Sequence, residues 1–202
     1  HYLRKAKKIY AQSHVIQQRL RHIGVHAQVL YPPETLEGLE TGNYQYLLLP
    51  GRLEDARKRV SMVIDAMKLV TEKITLVITG DGPDKLALQE RAAGDKRIIF
   101  KGYVNNKELL AAYKNALAVI FIPIAEDYGL VTIEAMKCAK PVITCTDSGG
   151  PVELVKNLHN GFVCAPHPKN LASCITHLVK DKTEAKRMGK NGFNDVAKIN
   201  WK

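Results

Sequence analysis

The 202-residue chain lacks the marks of several protein classes. It has no apolar run near the roughly 20 residues that a membrane-spanning helix needs. Its four cysteines, Cys138, Cys145, Cys164 and Cys174, have no CxxC spacing, and its seven histidines are scattered, so we expect no structural metal site. Aromatic residues make up only 6% of the chain and are not interleaved with basic residues, which argues against nucleic-acid binding.

Acidic residues are absent from residues 1–33, although the chain carries a net charge of +10. A basic surface suits anionic partners, such as phosphorylated substrates or an acidic membrane face. Three of the cysteines lie in or beside apolar stretches, which is typical of buried, reduced thiols. We therefore expect a cytoplasmic protein that can associate peripherally with the inner face of a membrane.

Apolar runs of strand length alternate with amphipathic stretches from residue 44 onward. The strands are predicted at residues 44–50, 74–79, 97–100, 117–122, 141–145 and 161–164. The helices are predicted at residues 55–70, after 80–83, at 106–115, from 128 or 129, and at 152–156, 170–179 and 183–194. Such alternation predicts an α/β fold: a Rossmann-like, doubly wound parallel sheet of about six strands, with ligands at the carboxyl ends of the strands.

Residues 1–41 have a different character. A short strand within residues 8–12 and a helix at 14–23 are followed by a strand that ends at Pro32-Pro33, a stiff pair typical of linkers. We expect residues 1–41 to be the remnant of a preceding domain with its linker, and residues 42–202 to form the Rossmann-like domain.

Two carboxylates, Glu126 and Glu134, stand eight positions apart just after the fourth predicted strand. A helix that begins near Gly129 would carry Glu134 roughly 8 Å from its first turn. Free backbone N–H groups at that turn attract anions. The pattern predicts a site for a phosphate-containing ligand with hydroxyls at both ends, such as a nucleotide sugar, although two such glutamates can also be solvated surface charges.

Glycine turns follow most of the other strands. Gly51 and Arg52 follow the first strand, with Lys58 in the next helix, so that backbone and cations can approach a phosphate. Other turns of this kind are Gly80–Pro83, Gly102-Tyr103-Val104 and Ser148-Gly149-Gly150. Each of them alone could be ordinary turn chemistry, but all of them lie on the ligand-binding edge.

Taken together, these stretches resemble the C-terminal, donor-binding domain of retaining family 4 glycosyltransferases, which have the two-domain GT-B fold. The resemblance covers residues 44–200 and rests on GRL at 51–53, TGDGP at 79–83, FKGYV at 100–104, EDYGLVTIEAM at 126–136, KPVIT at 140–144 and DSGGPVELV at 147–155. Residues 9–33 resemble the end of that family's N-terminal domain.

The resemblance implies that Arg52 and Lys58 neutralise the donor diphosphate. Backbone N–H groups near Gly129, Leu130 and Val131 would bind the same oxygens.

For the remaining roles, the resemblance implies that Glu134 holds the ribose and that Glu126 contacts the transferred sugar. Tyr103 and Val104 would line the base pocket. No divalent metal or other cofactor is expected, because cationic side chains stabilise the leaving diphosphate.

The chain departs from the family pattern in two ways. Arg59 follows Lys58 where the family often has glycine, so that Arg57 could be the phosphate ligand instead. Little of an acceptor-binding domain is present, and we expect a fragment that binds donor weakly and transfers little alone.

Two further points follow from the resemblance. The expected partners are a GDP- or UDP-linked sugar, with GDP-mannose favoured, and an acceptor glycan or lipid-linked precursor. The alternatives are a non-catalytic nucleotide-binding module and another GT-B enzyme, such as a sugar-nucleotide epimerase.

Overall fold

A computed structural model describes residues 6–200 of the chain. A small N-terminal part comes first: β1 (Tyr10–Ala11), α1 (His14–His22) and β2 (Gln28–Val29), with β1 and β2 paired in parallel. The expected strand–helix–strand order of this part is confirmed. The boundary that we place at residue 41 stays a prediction.

The main body is a six-stranded parallel sheet covered by helices on both faces. Its strands are β3 (Tyr46–Pro50), β4 (Leu76–Thr79), β5 (Ile98–Gly102), β6 (Ala116–Ile120), β7 (Val142–Cys145) and β8 (Gly161–Cys164). Its helices are α2 (Asp55–Lys58), α3 (Val60–Leu69), α4 (Lys85–Ala92), α5 (Asn106–Asn115), α6 (Leu130–Lys137), α7 (Pro151–Leu154), α8 (Pro168–Lys180) and α9 (Lys182–Val196). The predicted doubly wound fold is confirmed.

Alternate residues of each central strand pack into two separate cores. In β3, Leu47 and Leu49 face the core shared with α3 and α8, whereas Leu48 faces the core shared with α5 and α6. Because both faces are buried, these strands are continuously apolar instead of alternating with polar residues.

The strand order, β5-β4-β3-β6-β7-β8, fixes the place of the cleft. The chain runs outward from β3 to β5 and then returns to the other side of β3 as β6. The connections after β3 and β6 therefore diverge, and a crevice opens between them at the carboxyl ends of the strands. Gly51 and Phe121 follow the two strands at this point.

One predicted helix was wrong in its extent. Residues 55–70 form two helices, α2 and α3, because Arg59 between them adopts a left-handed conformation with φ 53°. No glycine or proline marks this break in the sequence. The break turns the Arg59 side chain into the protein, where it is buried.

The cysteines are free, with Cys138 and Cys145 buried and Cys164 and Cys174 half-buried. None of the helices within residues 6–200 combines the length and the apolar character needed to cross a membrane.

Candidate functional site

A cavity of about 460 Å³ lies in the crevice between β3 and β6. It brings together all the predicted site residues except Tyr103 and Val104. The lining residues are Gln12, Gly51, Arg52, Lys58, Phe121, Glu126, Asp127, Tyr128, Gly129, Leu130, Val131 and Glu134.

The amino end of α6 forms one wall of the cavity. Gly129 is the N-cap residue with φ 81° and ψ 74°, and a Cβ there would lie 2.6 Å from the Phe121 ring. Glycine is thus required both for the left-handed turn and for the contact with Phe121. Among the residues that the structure describes, none accepts a hydrogen bond from the backbone N–H of Leu130 or Val131. These free donors at the positive end of the helix dipole suit an anion.

Lys58 and Glu126 form an ion pair within the cavity. Lys58 Nζ lies 2.5 Å from Glu126 Oε2 and 5.4 Å from the centre of the Phe121 ring. Each charge compensates the other, so an incoming anion would meet a lysine that is already positioned. Arg52 is different, because its side chain is 69% exposed and only approaches Glu54 at 3.7 Å.

Arg57 is not among the residues that line the cavity. Its side chain is 77% exposed, with a Glu54 carboxylate oxygen 3.4 Å from its Nε. Lys58 lines the cavity. The positions therefore favour Lys58 over Arg57 as a phosphate ligand, although the assignment of this role stays a prediction.

Arg59 braces the loop that carries Glu126. Its guanidinium donates to the carbonyl oxygens of Ile122 and Pro123 at 2.7 and 2.6 Å, and to both carboxylate oxygens of Asp147 at 2.9 and 2.8 Å. The bidentate pair with Asp147 ties the segment after β6 to the segment after β7. Sequence reasoning treated this residue only as a departure from a pattern.

Two adjacent glycines let the loops after β6 and β7 lie against each other. A Cβ on Gly149 would lie 2.4 Å from the carbonyl oxygen of Glu126, and one on Gly150 would lie 2.6 Å from that of Asp127. The N–H of Gly150 donates to the Glu126 carbonyl at 2.7 Å. The sequence left open whether this pair lies close to a ligand or forms an ordinary loop, and the structure shows that it packs against the loop that carries Glu126.

The turn at residues 80–83 has a similar structural explanation. A Cβ on Gly80 would lie 1.9 Å from the carbonyl oxygen of Gly51, and one on Gly82 would lie 2.4 Å from that of Leu53. The turn at residues 80–83 therefore packs directly against the backbone of residues 51–53.

Glu134 lies one helical turn below the amino end of α6. It accepts a hydrogen bond of 2.6 Å from the hydroxyl of Tyr113, which is fully buried. Burial raises the pKa of Glu134, and the Tyr113 hydrogen bond opposes the shift. The carboxylate is thus fixed in direction, and one of its oxygens remains without a hydrogen bond from the described residues.

Tyr103 and Val104 lie apart from this cavity. The Tyr103 side chain is 80% exposed. Val104 lines a second cavity of about 330 Å³, together with Val77, Thr79 and Lys101. The structure therefore does not bring these two residues to the α6 wall, and their role in base binding stays a prediction.

Gln12 lines the cavity although sequence reasoning did not select it. It comes from the N-terminal part, and the hydroxyl of the next residue, Ser13, donates to the carbonyl oxygen of Asp127 at 2.5 Å. The only sequence signal was Ser13 itself, a typical N-cap residue before a helix.

Within residues 6–200, no group of three or more histidine, cysteine, aspartate or glutamate side chains could hold a metal ion. Independence from a metal stays a prediction.

Comparison of the sequence with known proteins identifies a matching family. The model of the family "Glycosyl transferases group 1" matches residues 37–195. The chain is 32% identical over 102 residues to the alpha-1,3/1,6-mannosyltransferase ALG2 of Dictyostelium discoideum, covering 50% of this chain and 24% of that protein. It is 28% identical over 154 residues to ALG2 of Rhizomucor pusillus, covering 76% of this chain and 33% of that protein. The chain thus spans about a quarter to a third of these relatives' length.

Solved structures agree in fold. HepE of Anabaena, crystallised in complex with UDP and glucose, matches with a TM-score of 0.85 at 21% identity, over 98% of this chain and 60% of that one. Sucrose-phosphate synthase of Thermosynechococcus elongatus matches with a TM-score of 0.84 at 25% identity, over 98% of this chain and 56% of that one.

Proposed function

Since the chain belongs to the glycosyl transferases group 1 family, we propose that its cavity binds the nucleotide-sugar donor of a retaining hexosyltransferase. The observation that carries the proposal is the amino end of α6, whose free N–H groups line one cavity together with the ion pair of Lys58 with Glu126 and the fixed carboxylate of Glu134. This arrangement matches an anion with a hydroxyl-bearing group on each side.

The diphosphate would sit against the N–H groups of Leu130 and Val131. Lys58 would supply a fixed positive charge, and Arg52 would close over the oxygens with its planar fork. Because charge develops on the diphosphate as the sugar leaves, donors that are already aimed at it lower the barrier to transfer. The chain's own cations would take this part without a metal.

The two carboxylates would hold the ends of the donor. Glu134 would accept hydrogen bonds from the ribose hydroxyls, in a direction set by Tyr113. Glu126 would accept from hydroxyls of the sugar while Lys58 turns from it toward the phosphate. An acceptor hydroxyl oxygen would then attack the anomeric carbon on the face from which the diphosphate leaves. The bond from that carbon to the phosphate oxygen would break, the hydroxyl proton would pass to the departing oxygen, and the configuration would be retained.

The base and the acceptor are finer points of the proposal. The ALG2 relatives are named as mannosyltransferases, which favours GDP-mannose, whereas HepE binds UDP. An acceptor glycan or lipid-linked precursor would be bound largely by parts that these 202 residues do not contain, at the inner face of a membrane. We therefore expect the chain alone to bind donor and to transfer little.

Calorimetry with this chain tests the proposal. Comparing the affinities for GDP, UDP and ADP, and for the sugars linked to each, identifies the base that the cavity prefers. A nucleotide sugar should bind more tightly than its nucleotide, whereas a non-catalytic nucleotide module would bind the two equally. Absence of binding to every nucleotide would overturn the proposal, and interconversion of sugar epimers would instead identify an epimerase.

Two variants separate the roles of the carboxylates. Glu134→Ala should weaken nucleotide binding about 10- to 100-fold, the loss expected for hydrogen bonds to a charged group. Glu126→Ala should leave GDP or UDP binding unchanged or tighter, because Lys58 is freed, and should remove the gain from the sugar. Glu90→Ala on α4 is the control, since the Glu90 side chain is exposed and forms no hydrogen bond or ion pair with the described residues.

A further inference from the structure

Glu153 reaches from α7 to the N-terminal part, more than 100 positions away in the chain. Its Oε2 accepts from the backbone N–H of His14 at 2.9 Å, and its Oε1 accepts from that of Val15 at 2.8 Å. The Tyr31 hydroxyl donates to Oε2 at 2.9 Å. A carboxylate of the main body thus caps the amino end of a helix that belongs to the other part.

The N-terminal part and the main body meet at a junction beside the loop that carries Glu126, and further contacts hold this junction together. Ser13 is fully buried and its hydroxyl donates to the carbonyl oxygen of Asp127. The Tyr31 and Tyr128 rings stack with centroids 5.9 Å apart, and the Tyr128 hydroxyl donates to the carbonyl oxygen of Pro32 at 2.6 Å. Burial, together with the Glu153 carboxylate, raises the pKa of Tyr31 to about 12.

The junction leaves one side chain of the N-terminal part in the cavity. Gln12 immediately precedes the anchored Ser13, and the Ser13 bond to Asp127 places it next to the residue that follows Glu126. Its carboxamide carries both donors and an acceptor, which suits sugar hydroxyls. Nothing else that the structure describes in the N-terminal part lines this cavity.

We propose that Gln12 is a donor-site residue that contacts the transferred sugar beside Glu126, and that Glu153 is the positioning residue that holds Gln12 there. The inference rests on the proposed function, because it assumes a sugar at Glu126. It means that the specificity of the donor site for its sugar is completed by the N-terminal part.

Binding of UDP, GDP, UDP-glucose and GDP-mannose to this chain and its variants tests the inference. Gln12→Ala removes an exposed side chain and should leave folding intact. It should weaken the better-binding nucleotide sugar about 3- to 10-fold, the loss of one neutral hydrogen bond, and change the matching nucleotide less than about 2-fold. Equal affinity of this variant and the unmodified chain for the sugar would overturn the role of Gln12.

Glu153→Gln should weaken binding of the nucleotide sugar by a similar factor, because the two amides bond to different carboxylate oxygens and a carboxamide replaces one of these oxygens by an NH2 donor. In the Gln12→Ala background it should add no further loss, since Glu153 acts through Gln12. Additive losses would overturn the positioning role. Glu90→Gln is the matched control for the change in charge.

Hydrogen exchange gives a readout that does not depend on ligand. The amides of His14 and Val15 should exchange faster in Glu153→Gln than in the unmodified chain, whereas those of β3 and β6 should not change. Unchanged protection at His14 and Val15 would also overturn the inference. If the unmodified chain binds no nucleotide or nucleotide sugar, the proposed function fails, whatever the exchange of these amides shows.

Discussion

Arg59 joins three segments around the cavity through one buried guanidinium. It holds the carbonyl oxygens of Ile122 and Pro123 and the carboxylate of Asp147. Arg59→Lys keeps the charge but cannot make the forked contact. We expect the free energy of unfolding to fall by about 2–3 kcal/mol, the range for lost hydrogen bonds to charged groups, with allowance for the partly exposed Asp147.

The neighbouring Arg57 provides the control for that prediction. Arg57→Lys makes the same chemical change at an exposed side chain, so urea denaturation should give a change within about 0.5 kcal/mol. Equal effects of the two substitutions would mean that Arg59 does not brace the loops. Nucleotide affinity should fall only for Arg59→Lys, because the Glu126 loop loses its support.

Glu134 gives a pH dependence whose sign follows from its environment. Burial raises its pKa above the ordinary value of 4.5. Between that value and the higher pKa in the folded chain, the folded state binds more protons than the unfolded state. The free energy of unfolding therefore falls as pH rises through this window, and the contribution is complete only below it.

Glu134→Gln should remove this slope, because glutamine does not titrate but can still accept from Tyr113. Denaturation at a series of pH values should show that the difference in stability between the two proteins shifts in favour of glutamine as pH rises. Glu90→Gln should show no such shift. A constant difference for Glu134→Gln would contradict the raised pKa.

At the scale of elements, Gly80 at the end of β4 and Gly94 after α4 test whether close approach or backbone conformation matters more. Gly80 has φ 112°, and its Cβ would lie 1.9 Å from the Gly51 carbonyl oxygen. Gly94 has φ 92°, but its Cβ would meet nothing within 4 Å. We expect Gly94→Ala to lower the free energy of unfolding by about 1 kcal/mol, from backbone strain alone. Gly80→Ala should lower it by at least about 3 kcal/mol, because the backbone at Gly51 must also move.

Denaturation of both alanine variants measures the two costs. Nucleotide binding should weaken only for Gly80→Ala, because the Gly51 turn in the cavity wall is displaced. Equal costs for the two would show that strain, and not the contact of the turns, selects glycine at residue 80.

The local sequence pattern was sufficient to predict an element when that element is stabilised by its own residues. The predicted helix at residues 106–115 was confirmed to the residue, and it carries a capping box formed by Asn105 and Glu108. All six apolar runs formed strands, and β4, β6 and β7 are almost continuously apolar because they are buried on both faces. The break at Arg59 was not predictable in this way, since its cause lies 63 to 88 positions away at Ile122 and Asp147.

The same distinction applies to the cavity. Lys58, Glu126 and Glu134 could be selected from the sequence because each stands at a fixed offset from a strand end. Gln12 and Glu153 could not, because their importance depends on how the N-terminal part packs on the main body. Tyr103 followed a strand as expected, but its side chain lies outside the cavity.

At the scale of the whole molecule, the chain carries a net charge of +10, and its cavity is proposed to bind a diphosphate. Interactions between exposed charges extend over a Debye length, which shrinks from about 30 Å at 0.01 M salt to about 8 Å at 0.15 M. Affinity for GDP or UDP should therefore decrease steadily as KCl is raised over this range. Guanosine and uridine, which carry no phosphate, should show almost no dependence on salt.

Arg52→Ala should reduce that salt dependence, because Arg52 is the exposed cation at the cavity mouth. Arg187→Ala should not, since Arg187 lies on α9 and is paired with Glu184 within its own helix. Titrations of the three proteins at several KCl concentrations would compare the slopes. A slope that is the same for all three would mean that the diffuse charge of the molecule, and not a cation at the cavity, attracts the diphosphate.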